Sequence, residues 1–139
     1  MPAKSALAST TRPVDEKITI NIGCVDLGQI DLLVQEGFYA NRTDLIRTAI
    51  RNQLATHGDA VREVVSRKTL VLGIQHYTAA DLQRVKDAGE KLQIRVLGLA
   101  SIADDVTPRL ALATIESLTV LGALHASPAV KTALRDRMG

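Results

Sequence analysis

The chain has 139 residues, a formal charge of +2, 46% apolar and 23% charged side chains, the balance of a globular protein with one moderate core or two small ones. Only Phe38, Tyr39 and Tyr77 are aromatic, so the cores must be aliphatic, and the aromatic platforms that stack single-stranded bases are missing. A lone cysteine, Cys24, excludes an intrachain disulfide framework, fits a reducing cytoplasm and is expected to be a small buried hydrophobe.

No apolar run approaches the ~18–20 residues of a membrane span, and no signal-type apolar region follows Lys4, so a cytoplasmic protein without membrane contact is expected. Residues 1–58 hold six basic and six acidic side chains, and residues 59–139 hold eleven and nine. Bulk charge therefore points to no polyanion, and any such binding must come from local placement.

Residues 1–15 are small, polar and proline-flanked, and they predict a flexible arm. Arg12 in this arm is a candidate phosphate contact, with an ordinary solvated terminus as the alternative. From Lys17 to Gly23 apolar and polar residues alternate strictly, with Ile18, Ile20 and Ile22 on one face and Lys17, Thr19 and Asn21 on the other, the pattern of a half-buried β-strand. Leu27, Ile30, Leu33 and Val34 then recur at helical spacing over 26–36, and Gly37 is placed to end that helix. Asn41 opens a second helix, where Asp44 makes a short-chain version of a capping box. Its stripe is Leu45, Ile46, Ala49, Ile50 and Leu54, and His57-Gly58 stops it. A lone strand ahead of two helices has no edge to pair with, whereas a second copy supplies one. Two such strands, antiparallel about a two-fold axis, form a ribbon of a size that fits the DNA major groove.

The segment KITINIGCVDLGQIDLLVQEGFYANRTDLIRTAIRNQL, within residues 17–56, resembles the CopG-type ribbon-helix-helix DNA-binding family. Its most diagnostic part is GFYANRTDLIRTAIRNQL. The resemblance implies an intertwined homodimer on double-stranded DNA. It implies that Lys17, Thr19 and Asn21 read base edges, and that the backbone amides of Asn41, Arg42 and Thr43 hold phosphates. Lys can donate to guanine, Asn can pair with adenine and Thr can hydrogen-bond or touch a thymine methyl, so the chemistry is coherent. Arg47, one turn before Arg51, is a further candidate phosphate contact or simply a solvating residue. Gly23-Cys24-Val25 departs from the Pro or Ser with which many relatives start the first helix, which leaves the entry of that helix open.

Residues 59–67 predict a helical linker, and 68–139 a domain built on repetition. Val-Leu-Gly recurs at 71–73, 96–98 and 120–122, with spacings of 25 and 24 residues. Each copy lies in an apolar strand-like run (TLVLGI, IRVLGLASI, LTVLGAL). A helical stretch follows each, begun by Thr78, Thr107 or Ser127 as N-cap, with Pro108 and Pro128 at the first helical position. Three such units predict a small β/α solenoid with stacked parallel strands, and a compact βαβαβα sheet is the competing arrangement. The fold class expected for the chain is thus α+β: a ribbon-helix-helix over 16–58, then three strand-helix repeats.

His76 and His125 occupy equivalent places in the first and third repeats, with Ser101 between. Two strand spacings separate the histidines by about 10 Å, too far to share a metal ion. Asp104-Asp105, just ahead of Thr107-Pro108, reads as a turn and not as an acid-base pair. No phosphate loop, nucleophile elbow or metal-ligand spacing is present, so no catalytic residue, metal or cofactor is expected. The function this implies is a sequence-specific transcriptional regulator, a repressor associated with the nucleoid, whose residues 68–139 join further copies or bind a partner protein. Two alternatives stay open: an antitoxin or plasmid partition protein whose second half binds another protein, and a scaffold or filament-forming protein.

Overall fold

The computed structural model describes residues 14–139. The chain divides into two compact units, one from Lys17 to Val64 and one from Val65 to Gly139 that also takes in the stretch ending at Glu16. The fold is mixed, with helices in both units and one parallel sheet in the second.

In the first unit, α1 spans Cys24–Gln35 and α2 spans Arg42–Thr56. The start of α1 lies at the Gly23-Cys24 pair, two residues before the predicted entry, with Gly23 extended as an N-cap that offers no side-chain hydrogen bond. α1 ends where Gly37 takes φ 86. There the Phe38 amide donates to the Leu33 carbonyl at 2.9 Å and the Gly37 amide to Val34 at 3.1 Å, the closure that a glycine past the last turn permits. A third helix, α3, runs from Gly58 to Arg67.

Lys17–Gly23 differs from the expected strand, because it pairs with no other segment among the described residues and is exposed throughout. A strand is defined by its ladder, and the described residues provide none for it. The Leu27, Ile30, Leu33 and Val34 stripe is half-buried as its spacing predicts. No side chain of α1, α2 or α3 is buried, and Cys24 is exposed rather than buried.

The second unit holds the entire set of buried apolar side chains, from Leu70 to Leu134. Strands β1 (Val71–Tyr77), β2 (Leu92–Ile102) and β3 (Ile115–His125) lie parallel in the order β1-β2-β3. Helices α4 (Ala79–Asp87), α5 (Pro108–Thr114) and α6 (Pro128–Leu134) alternate with them. Leu82 of α4, Ala111 of α5 and Val130 and Leu134 of α6 pack on Ile94, Val96, Ala100 and Ile102 of β2 and Ile115 and Leu118 of β3. The three N-caps act as their sequence predicts. The Thr78, Thr107 and Ser127 hydroxyls accept from the amides of Asp81, Leu110 and Val130, and Pro108 and Pro128 open their helices. The second helix is shorter than TPRLALATIESL suggests: it yields to β3 at Thr114-Ile115, two β-branched residues suited to a strand, and Ile115 is fully buried. The Arg137 guanidinium donates to the Leu112 carbonyl and, at 2.8 Å, to that of Ile115, closing carbonyls that the end of α5 leaves open.

The repeats align residue for residue: Val71 pairs with Val96 and Val96 with Val120, and Gly73, Gly98 and Gly122 form one row across the sheet. All three glycines have positive φ, 129, 138 and 121, a region where an L side chain is strained. A Cβ at Gly98 would collide with the Gly73 carbonyl oxygen, and one at Gly122 with that of Gly98, while one at Gly73 would meet nothing. Gly98→Ala and Gly122→Ala should each destabilise the second unit by about 3 kcal/mol or more, from strain and collision together. Gly73→Ala should lose only the strain, roughly 1–3 kcal/mol. Urea unfolding of the three variants checks that order, and an equal loss at all three positions contradicts the collision account.

Candidate nucleic-acid interface

The residues that the sequence marks for DNA contact all belong to the first unit, apart from Arg12, which lies outside the described residues. Lys17, Thr19 and Asn21 alternate along the exposed segment ahead of α1. Between them, Ile18, Ile20 and Ile22 expose 76%, 74% and 44% of their surface. That is a continuous apolar strip left to water, an arrangement that monomeric proteins rarely keep. On the helices Val25, Leu32, Ile46, Ile50 and Leu54 are exposed as well.

The start of α2 is the most ordered part of this unit chemically. The Asn41 side-chain oxygen accepts from the Asp44 amide at 2.8 Å, and the Asp44 carboxylate accepts from the Ala40 amide at 2.9 Å. This is the reciprocal cap expected from Asn41 and Asp44, with the short Asp reaching one residue further back than a Glu would. With the Asp44 amide taken, the amides of Asn41, Arg42 and Thr43 are those at the helix start that lack a carbonyl four residues back within the helix. They point from the positive end of the helix dipole, where an anion is favoured.

One feature was not legible from the sequence. Arg42 forms a bidentate ion pair with Asp31 of α1, Nε to Oδ1 at 2.7 Å and Nη2 to Oδ2 at 2.8 Å, and so ties the start of α2 to the middle of α1. Eleven residues separate the partners, across a turn, and no local spacing rule covers that distance. The hydrogen bond from Arg42 holds the Asp31 carboxyl below its ordinary value, and the guanidinium is raised in turn. The pair is therefore complete at neutral pH and is lost only as pH falls through the lowered carboxyl value. Asp31 thus engages Nε and Nη2 of Arg42, while the Arg42 backbone amide stands at the start of α2. Arg47 and Arg51 are exposed on α2.

The remaining candidates belong to the second unit. His76, Ser101 and His125 do share one row across the sheet. His76 Nδ1 lies 3.1 Å from the Ser101 hydroxyl, and His125 faces Glu16 at 4.0 Å. Among the described residues no group of three or more His, Cys, Asp or Glu side chains could hold a metal ion. The Asp105 carboxylate accepts from the Ala79 amide at 3.2 Å, so it joins the turn after β2 to the start of α4. No helix of the described residues is long and apolar enough to cross a membrane.

No curated protein and no solved structure matches the chain significantly. A family model does: it describes the ribbon-helix-helix transcriptional regulators and matches residues 13–131. The match runs through the exposed alternating segment, the two capped helices and most of the repeat unit, and on this ground the chain belongs to the ribbon-helix-helix transcriptional regulator family.

Proposed function

We propose that this DNA-binding regulator works as a homodimer whose Lys17–Gly23 segments pair antiparallel into a ribbon that enters the major groove and reads a specific sequence, with repression as the outcome. The observation that carries this reading is the exposed strip of Ile18, Ile20 and Ile22 in a unit without a single buried side chain. A unit of that kind cannot offset its chain entropy alone. Burying each isoleucine against a partner copy stabilises by roughly 1.5–3 kcal/mol, and pairing the two strands satisfies their backbone groups.

Dimerisation by the Ile face turns Lys17, Thr19 and Asn21 outward on the other face of both strands, because alternate side chains oppose each other across a strand. The same two-fold axis presents two copies of the α2 start, so that Asn41, Arg42 and Thr43 of each grip the phosphates on either side of the groove. The Arg42–Asp31 pair fixes the angle at which those amides are offered. Phosphate contacts set the position and the ribbon sets the sequence. Arg47 adds phosphate contact from the next turn of α2, and Arg12 does so from the arm. Such a protein acts in the cytoplasm, on the nucleoid. Residues 68–139 serve assembly with further copies.

Two results are expected. Lys17→Ala, Thr19→Ala and Asn21→Ala should each weaken binding to the preferred site by about 1–3 kcal/mol and leave binding to random duplex little changed. Competition binding at fixed salt measures this, and an equal loss on both DNAs would place the three residues on phosphates. Ile20→Lys should remove dimerisation and DNA binding together while the sheet unit stays folded. Sedimentation with circular dichroism checks it in a chain that also carries Leu72→Lys and Leu121→Lys on its sheet edges, and a protein that is still dimeric contradicts the ribbon.

A further inference from the structure

The sheet of the second unit ends in two open edges that match one another. β2 meets β1 and β3 meets β2 in the same way: valine opposite valine, leucine opposite leucine, glycine opposite glycine. At each of those junctions the carbonyl of the preceding glycine fills the space where a Cβ would stand. At Gly73 the backbone has the same conformation and the space is empty. The group shaped to fill it, the Gly122 carbonyl, belongs to β3, whose far edge has no strand beside it among the described residues.

The extents of the two edges also agree. Met138 and Gly139 run parallel to β3 only beside Leu118, where the Gly139 amide donates to the Leu118 carbonyl at 3.0 Å. Together with Leu118, Val120, Gly122 and Leu124 they line an open groove along β3. β1 is the short strand of the three: it starts at Val71, level with Val120, and ends at Tyr77. By the register of the existing junctions, a second copy's β1 would start level with Val120 of β3. Its outward side chains are apolar and unburied at present, Leu72 at 65% and Ile74 at 59%, as is Leu121 at 54% on β3. Long apolar edges of this kind are ordinarily blunted by charge or proline, and neither stands in β1 or in β3 from Val120 to Leu124.

We infer that β3 of one copy pairs in parallel with β1 of a second copy, glycine row continued, so that Gly122 meets the second copy's first glycine and the sheet passes from chain to chain. The contact is heterologous: each copy offers one edge and receives the other, so the junction can repeat from copy to copy. The helix layer continues likewise, with the second copy's first repeat helix beside α6, as α5 lies beside α4. The inference rests on the reading above only in taking the dimer as the unit that is joined. Its consequence for a DNA-bound protein is side-by-side assembly on tandem sites.

The test uses register, because Leu121 and the second copy's Leu72 become direct neighbours. The full chain without DNA is expected to form species larger than a dimer that grow with concentration in sedimentation velocity. Leu72→Lys with Leu121→Lys opposes like charges across the junction and should weaken that association by roughly tenfold or more, leaving dimers. Leu72→Lys with Leu121→Glu opposes unlike charges and should restore assembly. Both positions are more than half exposed, and thermal melts confirm that the variants fold. Wild type that stops at the dimer at every concentration, or a Lys/Glu variant that assembles no better than Lys/Lys, overturns the inference. Assembly in steps of single chains keeps this junction and sinks the dimer reading instead.

Discussion

An extended segment carries a donor and an acceptor at every residue, and when its side chains alternate, an apolar strip as well. Among the described residues no strand pairs with Lys17–Gly23, and its isoleucines stay exposed. The consequence reaches beyond seven residues, because α1 and α2 pack on each other yet leave every side chain at least partly in water. The first unit thus closes no core of its own. What it does hold fixed by itself is local: the glycine closure after α1, the reciprocal cap at Asn41 and Asp44, and the Asp31–Arg42 pair that joins the two helices. These set the geometry of the amides that would meet phosphate before any partner arrives.

The second unit solves the same problem in the opposite way. It buries a continuous aliphatic core between a parallel sheet and three helices, with no buried side-chain nitrogen or oxygen left unpaired among the described residues. Its strands are held in register by the glycine row, where a carbonyl of one strand lies where the next would carry a Cβ. A row of that kind is a spacing device as well as a structural one. It fixes how a strand must approach, and it is identical at each junction, so the same rule that stacks three repeats applies to the two strands left at the ends.

Much of this was written in the sequence, because the determinants are local. The alternation at 17–23, the capping residues Asn41, Thr78, Thr107 and Ser127, and the triple Val-Leu-Gly each act through a few neighbours, and the GFYANRTDLIRTAIRNQL pattern carries the family. Parallel pairing of equivalent residues followed from the repeat, including the row of His76, Ser101 and His125. What escaped was set by contacts distant in sequence or by competition between elements. The Asp31–Arg42 pair spans a turn. The helix after Pro108 loses its last residues to β3 because Ile115 finds a core site there. Cys24 looked like a core residue by type, yet its unit has no closed core in one chain. The positive φ of all three glycines has no sequence signal beyond glycine itself, and only the row across the sheet explains why Gly98 and Gly122 tolerate nothing larger.

Backbone amide hydrogen exchange of the DNA-free protein tests directly whether Lys17–Gly23 pairs with a second copy. If two copies pair through this segment, amides between Lys17 and Gly23 should be protected well above an unstructured chain, and the protection should fall on dilution as dimers separate. Exchange of those amides at the unstructured rate at every concentration, with the sheet unit still protected, would contradict it.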